Sequence, residues 1–171
     1  MPFRFTVPMQ KRVPRRTITM LQNALHHFPE LQGKTITVGY TAAHLGVAVP
    51  EDFAIRLRAR KVSYNTIGHE LTHLVQGMRL IPAGEKQCDI WTLSRSPLFC
   101  DEAPTYLELP PWIRARWADF ALRAHRLCTR AIAIRNTHRQ YIRWVERELR
   151  LLAHAAAGGQ GQLFFAFDPF S

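Results

Sequence analysis

His69, Glu70, Leu71, Thr72 and His73 form an HExxH sequence, the one stretch of this chain whose spacing encodes chemistry. On an α-helix two histidines four positions apart lie one turn above each other on a single face, so both imidazoles can reach one Zn²⁺. Glu70 sits between them, close enough to accept a proton from a water in the metal's open position. These residue types point to metal-assisted hydrolysis with Glu70 as the general base. Catalytic zinc usually takes three protein ligands and leaves a fourth place for water, so one more donor is required. The carboxylates between the motif and the basic C-terminal region are Glu85, Asp89, Asp101, Glu102 and Glu108, and no histidine follows before His125. A carboxylate ligand is therefore expected, with Glu85, Glu102 and Asp89 as candidates. Asp101 and Glu102 equally suit the first turn of a helix, whose dipole favours negative charge. Cys88 lies among the candidates and is expected to be packed rather than bound to metal.

The run Glu85, Lys86, Gln87, Cys88, Asp89 places a Glu and, one turn later, an Asp downstream of the histidine pair. Over residues 60 to 105 this arrangement resembles the gluzincin metallopeptidases. The loop from the motif to Glu85 is shorter than in large gluzincins, so the resemblance is to minimal, single-domain members. Gly77, Pro82 and Gly84 allow such a sharp return. The resemblance implies a zinc-dependent peptidase with His69, His73 and Glu85 as metal ligands. It also implies that Asp89 hydrogen-bonds a metal-binding histidine, which has a physical reason of its own, since a ligating imidazole needs an acceptor for its second nitrogen. Peptide or protein is the substrate implied, bound along an edge strand by main-chain hydrogen bonds. Tyr106, His125 or an arginine are the candidates for stabilising the oxyanion.

The elements that position these residues are legible as patterns. Ile67, Leu71, Leu74, Val75 and Met78 recur at helical steps around the motif, with Ser63 or Asn65 as N-cap and Gly77, Pro82 and Gly84 as stop signals. Upstream, Ile18, Leu21, Leu25 and Phe28 mark an amphipathic helix over residues 17 to 28, with His26 and His27 at its surface. Strands are expected over residues 35 to 40 and 53 to 60, from β-branched content and alternation. Residues 112 to 157 contain no Pro or Gly and read as one long helix or a helical hairpin, opened by Pro110 and Pro111 and weakest at Asn136 and Thr137. The fold class expected is α+β and zincin-like: a small antiparallel sheet, an HExxH helix and a long helical C-terminal region. One domain over 1–171 is sufficient at this length, with a basic arm at 1–16 and an aromatic tail at 158–171. That tail is expected to pack back on the domain or to occupy the cleft, with Asp168 near the metal.

The net charge of +10 implies attraction to polyanions. Arg114, Arg116, Arg123, Arg126, Arg130, Arg135, Arg139, Arg143, Arg147 and Arg150 face only Asp119, Glu146 and Glu148 between residues 112 and 157. Nucleic acid or an acidic protein is the candidate partner for those helices, as for a SprT-like protease recruited to nucleic acid. The lack of a zinc ribbon and of a later histidine ligand counts against membership of that group. A noncatalytic metal-binding regulatory module is a third reading, disfavoured because Glu70 has no structural need to stand inside the clamp. Cys88, Cys100 and Cys128 are odd in number and lack C-x-x-C spacing, which argues for reduced, packed thiols. No apolar run is long enough to cross a bilayer and no secretory segment is recognisable, so no membrane association and a cytoplasmic location are expected.

Overall fold

Short β-branched and aromatic runs form a four-stranded sheet, while the longer amphipathic segments form helices that cover it and then extend beyond it. The computed structural model describes residues 2–157. The aromatic tail at 158–171, with Asp168, lies outside the described residues. In chain order the elements are β1 (Phe3–Phe5), α1 (Val7–Gln10), α2 (Arg15–Leu25), β2 (Ile36–Tyr40), β3 (Gly46–Val49), β4 (Ala54–Leu57), α3 (Tyr64–Gly77), α4 (Glu85–Arg95), α5 (Pro111–Ala115), α6 (Trp117–Ile134) and α7 (Tyr141–Ala157). The class is α+β.

The sheet is mixed rather than antiparallel, in the order β1-β2-β4-β3. β1, β2 and β4 run parallel, and β3 pairs antiparallel with β4 at the edge. Parallel neighbours need a connection that carries the chain back to its start. Between β1 and β2 that return is made by α2. Between β2 and β4 it is made by β3 itself, which runs back along the edge before β4 enters the slot between them. Two strands had no sequence signal: β1 is three residues within the Pro-broken arm, and β3 is a short Gly-Val-Ala-Val run that is half-buried along its whole length. The second expected strand is shorter than 53 to 60, because Phe53 takes a left-handed conformation (φ 49°) after the turn Pro50–Asp52.

The helix carrying the HExxH residues starts where its capping groups dictate. Ser63 Oγ accepts the Thr66 N–H at 3.0 Å, and the Asp101 carboxylate accepts the Tyr64 and Asn65 N–H groups at 2.7 and 2.8 Å. Asp101 thus meets a helix dipole, but that of α3 and across tertiary space. Ile67, Leu71, Leu74 and Val75 are buried against the sheet and α2 in one apolar cluster. α4 packs against α3 on one side and α6 on the other, and its Ile90 and Leu93 join a second cluster with Ile113, Phe120, Cys128, Val145 and Leu149. The C-terminal region is the hairpin of α6 and α7, broken across Asn136 and Thr137 as expected, with α5 as a short preceding turn. No helix among the described residues is long and apolar enough to cross a membrane.

The α3–α4 contact is close because Gly68 has no side chain. A Cβ there would lie 2.6 Å from Phe99 Cδ1 and 2.8 Å from Thr92 Cγ2, and both residues are fully buried. Next to it Thr72 Oγ1 is 2.8 Å from the Gly68 carbonyl and 2.8 Å from Thr92 Oγ1. Gly68→Ala is expected to destabilise the chain by about 1–3 kcal/mol through overpacking, read as a lower urea midpoint at unchanged slope.

Candidate metal and catalytic centre

α3 turns His69 and His73 towards the start of α4, where Glu85 occupies the first helical position. His69 Nε2 and His73 Nε2 are 3.1 Å apart, and Glu85 Oε2 is 3.1 Å from the first and 3.2 Å from the second. Ligand atoms about 2.0–2.1 Å from a tetrahedral zinc are separated by about 3.3 Å. The three donors fit that geometry.

The outer hydrogen bonds show what the inner nitrogens can do. Gln76 donates its amide to the carbonyls of Pro82 and Gly84 at 2.7 and 3.0 Å, which fixes its oxygen towards His73. That oxygen is 2.7 Å from His73 Nδ1, so the proton belongs on Nδ1 and the Nε2 lone pair is free. Asp89, almost fully buried, accepts the Tyr106 and Leu107 N–H groups on Oδ2 at 2.7 and 3.0 Å. Its Oδ1 lies 3.0 Å from His69 Nδ1 in a poorly aligned approach and has no other partner among the described residues. Burial works against a charge on His69, but Asp89, Glu70 and Glu85 raise its pKa overall. Two imidazole lone pairs and a carboxylate oxygen therefore converge. A proton can occupy one edge of this triangle, whereas a divalent cation meets all three donors.

Cys88 is the competing donor, since its sulfur and the two histidine ligand atoms all lie within 4.8 Å of one another. Its thiol is 3.2 Å from the His69 carbonyl, and burial pushes its pKa well above the ordinary range. Glu85 Oε2 lies 3.1 and 3.2 Å from the two histidine nitrogens on a half-exposed side chain, so both the carboxylate and the Cys88 sulfur stand within reach as a third donor. Glu102 is exposed, Asp101 is committed to the start of α3, and Asp89 stands behind His69 rather than beside the other donors.

Glu70 is buried on the other side of the clamp, under the edge strand. Burial raises its carboxyl to about 7, opposed by His69, reinforced by Glu85 and opposed again by the Ala48 N–H. A Cβ on Gly46 would fall 2.6 Å from Glu70 Oε1, so only glycine lets β3 pass this close. The Arg58 N–H bonds the Leu45 carbonyl, and alternation along the ladder turns the main-chain groups of Gly46 and Ala48 away from β4. The sheet edges are β1 and β3, and the one beside Glu70 is β3, a strand not expected from sequence.

Tyr106 is brought to the centre: its ring stacks on His69 with centroids 5.5 Å apart and planes at 19°. Its phenol pKa is raised by partial burial and then by Glu85, Asp89 and Glu70, the field of the donor cluster. His125 is elsewhere, with Nδ1 2.8 Å from the Leu93 carbonyl. Arg114 is also occupied, as its guanidinium holds the carbonyls of Pro104, Thr105 and Leu107 and thereby the loop bearing Tyr106. A cleft of about 470 Å³ opens beside Glu85, lined by Ala83, Gly84, Lys86, Gln87, Tyr106 and Ile142. The sequence reading missed Gln76, Gly46 and Ala48. Gln76 stands three residues after His73, within reach on the same helix face, and that spacing was an available signal.

No family model, curated protein or solved structure matches this chain.

The ligand assignment is separable by titration with Zn²⁺ against a chelating dye. Asp89→Ala should weaken binding about 10–100-fold by freeing the His69 ring, and Glu85→Ala should weaken it at least as much. Cys88→Ser should leave the affinity unchanged; a loss there equal to that of Glu85→Ala would reassign the third ligand to sulfur.

Proposed function

We propose that the chain is a zinc-dependent peptidase, zincin-like in fold and of the minimal gluzincin type. The observation that carries this reading is the convergence of His69 Nε2, His73 Nε2 and Glu85 Oε2 within 3.2 Å of one another, with Glu70 beside both that cluster and the strand β3, which is unpaired on its outer side among the described residues. His69, His73 and Glu85 would hold Zn²⁺. When bound, the ion supplies a water of lowered pKa and polarises the carbonyl under attack.

The chain's own residues account for the rest. The Glu70 carboxylate takes the proton of the attacking water and hands it to the leaving nitrogen. Burial keeps that carboxylate away from bulk solvent, and the Ala48 N–H orients it. Outward-facing main-chain groups of Gly46 and the Ala48 carbonyl can pair with an extended peptide, aligning its backbone along the histidine clamp. Tyr106, which stacks on His69 at the open side of the cluster, is the donor to the developing oxyanion. Its loop is held by the Asp89 carboxylate and by Arg114, so the ring is positioned by the residue that orients His69.

Glu70→Gln keeps the shape of the side chain while removing the base. The zinc-loaded variant should retain stoichiometric metal and the wild-type unfolding midpoint, and kcat on a peptide library should fall about 10²–10⁴-fold. Full residual activity in that variant would refute the role of Glu70. Tyr106→Phe should lower kcat about 10²–10³-fold at nearly unchanged KM, as expected for a donor used only in the transition state.

A further inference from the structure

The outer face of α6 is cationic, with four arginines and one carboxylate. Arg116, Arg123, Arg126 and Arg130 fall within an arc of about 80° on a helix of 3.6 residues per turn, centred about 120° round the helix from the buried Phe120, Ala124, Cys128 and Ala131. Asp119 is the one carboxylate on that arc, and it pairs with Arg116 at 2.8 Å. Arg123, Arg126 and Arg130 are exposed and have no carboxylate partner among the described residues. Like charges three and four residues apart repel along a helix. An ordinary solvated face intersperses Glu to relieve this, and α6 does not.

Two further features bear on the ligand. The backbone positions of the three residues rise along the axis by about 4.5 and 6 Å, and each carries a planar fork suited to bidentate contact with phosphate oxygens. At the edge of the row stands Trp144 of α7, half-buried, with the Arg130 guanidinium 5.7 Å from its ring centroid. An arginine row that ends beside an aromatic ring matches a phosphate-and-base ligand better than it matches a chain of carboxylates.

We propose that Arg123, Arg126 and Arg130, with Trp144 beside them, bind the phosphate backbone of nucleic acid. The face is formed by the α6–α7 hairpin, and the proposal holds whether or not the metal centre hydrolyses peptides. Its basis is counterion release: each phosphate contact adds about 0.9 to the slope of log affinity against log salt for duplex DNA and about 0.7 for a single strand.

The test is fluorescence anisotropy of the full chain with a labelled oligonucleotide, single-stranded and duplex, between about 50 and 200 mM salt. Wild type and Glu70→Gln should bind alike. Replacing Arg123, Arg126 and Arg130 together by Gln should reduce the slope by about 2–3, while replacing them by Lys should preserve it. The single change Arg126→Gln, at an exposed position, should reduce it by about 0.7–0.9 and keeps the test available if the triple variant folds poorly. Absence of wild-type binding at low salt, or an unchanged slope in the Gln variants, overturns the proposal. It is also overturned if a polyglutamate peptide of equal charge displaces the oligonucleotide as well as unlabelled oligonucleotide does, which would identify an acidic protein as the partner.

Discussion

His69 Nε2, His73 Nε2 and Glu85 Oε2 lie within 3.2 Å of one another, and folding supplies the restraint that keeps the three side chains converged. Each histidine has a partner at its other nitrogen: Gln76 is hydrogen-bonded to His73, and Asp89 Oδ1 lies 3.0 Å from His69 Nδ1. Each partner is in turn anchored by main chain: Gln76 by the Pro82 and Gly84 carbonyls, Asp89 by the Tyr106 and Leu107 N–H groups. The loop that brings Glu85 back to α3 is therefore fastened by the same side chain that orients His73. These paired anchors account for the density of buried polar groups at the junction of α3 and α4.

α4 is the element on which the two apolar clusters meet. Its contact with α3 is made possible by Gly68, and its opposite face packs on α6. The C-terminal hairpin consequently supports the centre as well as extending the molecule. Tyr141 donates to Gln87, and the buried Glu146 accepts from Lys86 and from the Glu108 N–H at 2.9 and 3.0 Å. Arg150 reaches Glu108 on the same side. The arginines of this region thus divide by function: Arg114 and Arg150 bond to the loop beside the centre, while Arg123, Arg126 and Arg130 face solvent on the far side of α6.

Much of this was legible because local rules had few competitors. The helix through the HExxH residues, its Ser63 cap, the α6–α7 break and the strand ending at Tyr40 follow from periodicity and capping alone. Asp101 shows where such rules stop. Its charge does serve a helix start, but a helix 37 residues earlier in the chain, and no local pattern identifies that partner. β1 and β3 were hidden for a related reason. A strand of three or four residues is stabilised by its neighbours in the sheet, so its own composition carries little signal.

The sequence by itself determined that two imidazoles and a carboxylate share one helix, because four residues make one turn whatever surrounds them. It also narrowed the third donor to a few carboxylates. Tertiary structure set which of them lies against both histidines, namely Glu85, since that depends on how closely α4 approaches α3, a distance set by the missing side chain at Gly68 and the packing of Thr92 and Phe99. It likewise decided that the sheet edge beside Glu70 is β3, that the sheet is mixed, and that Tyr106 stacks on His69. Those are relations between segments distant in sequence, and they are fixed by burial and main-chain pairing that no single segment contains.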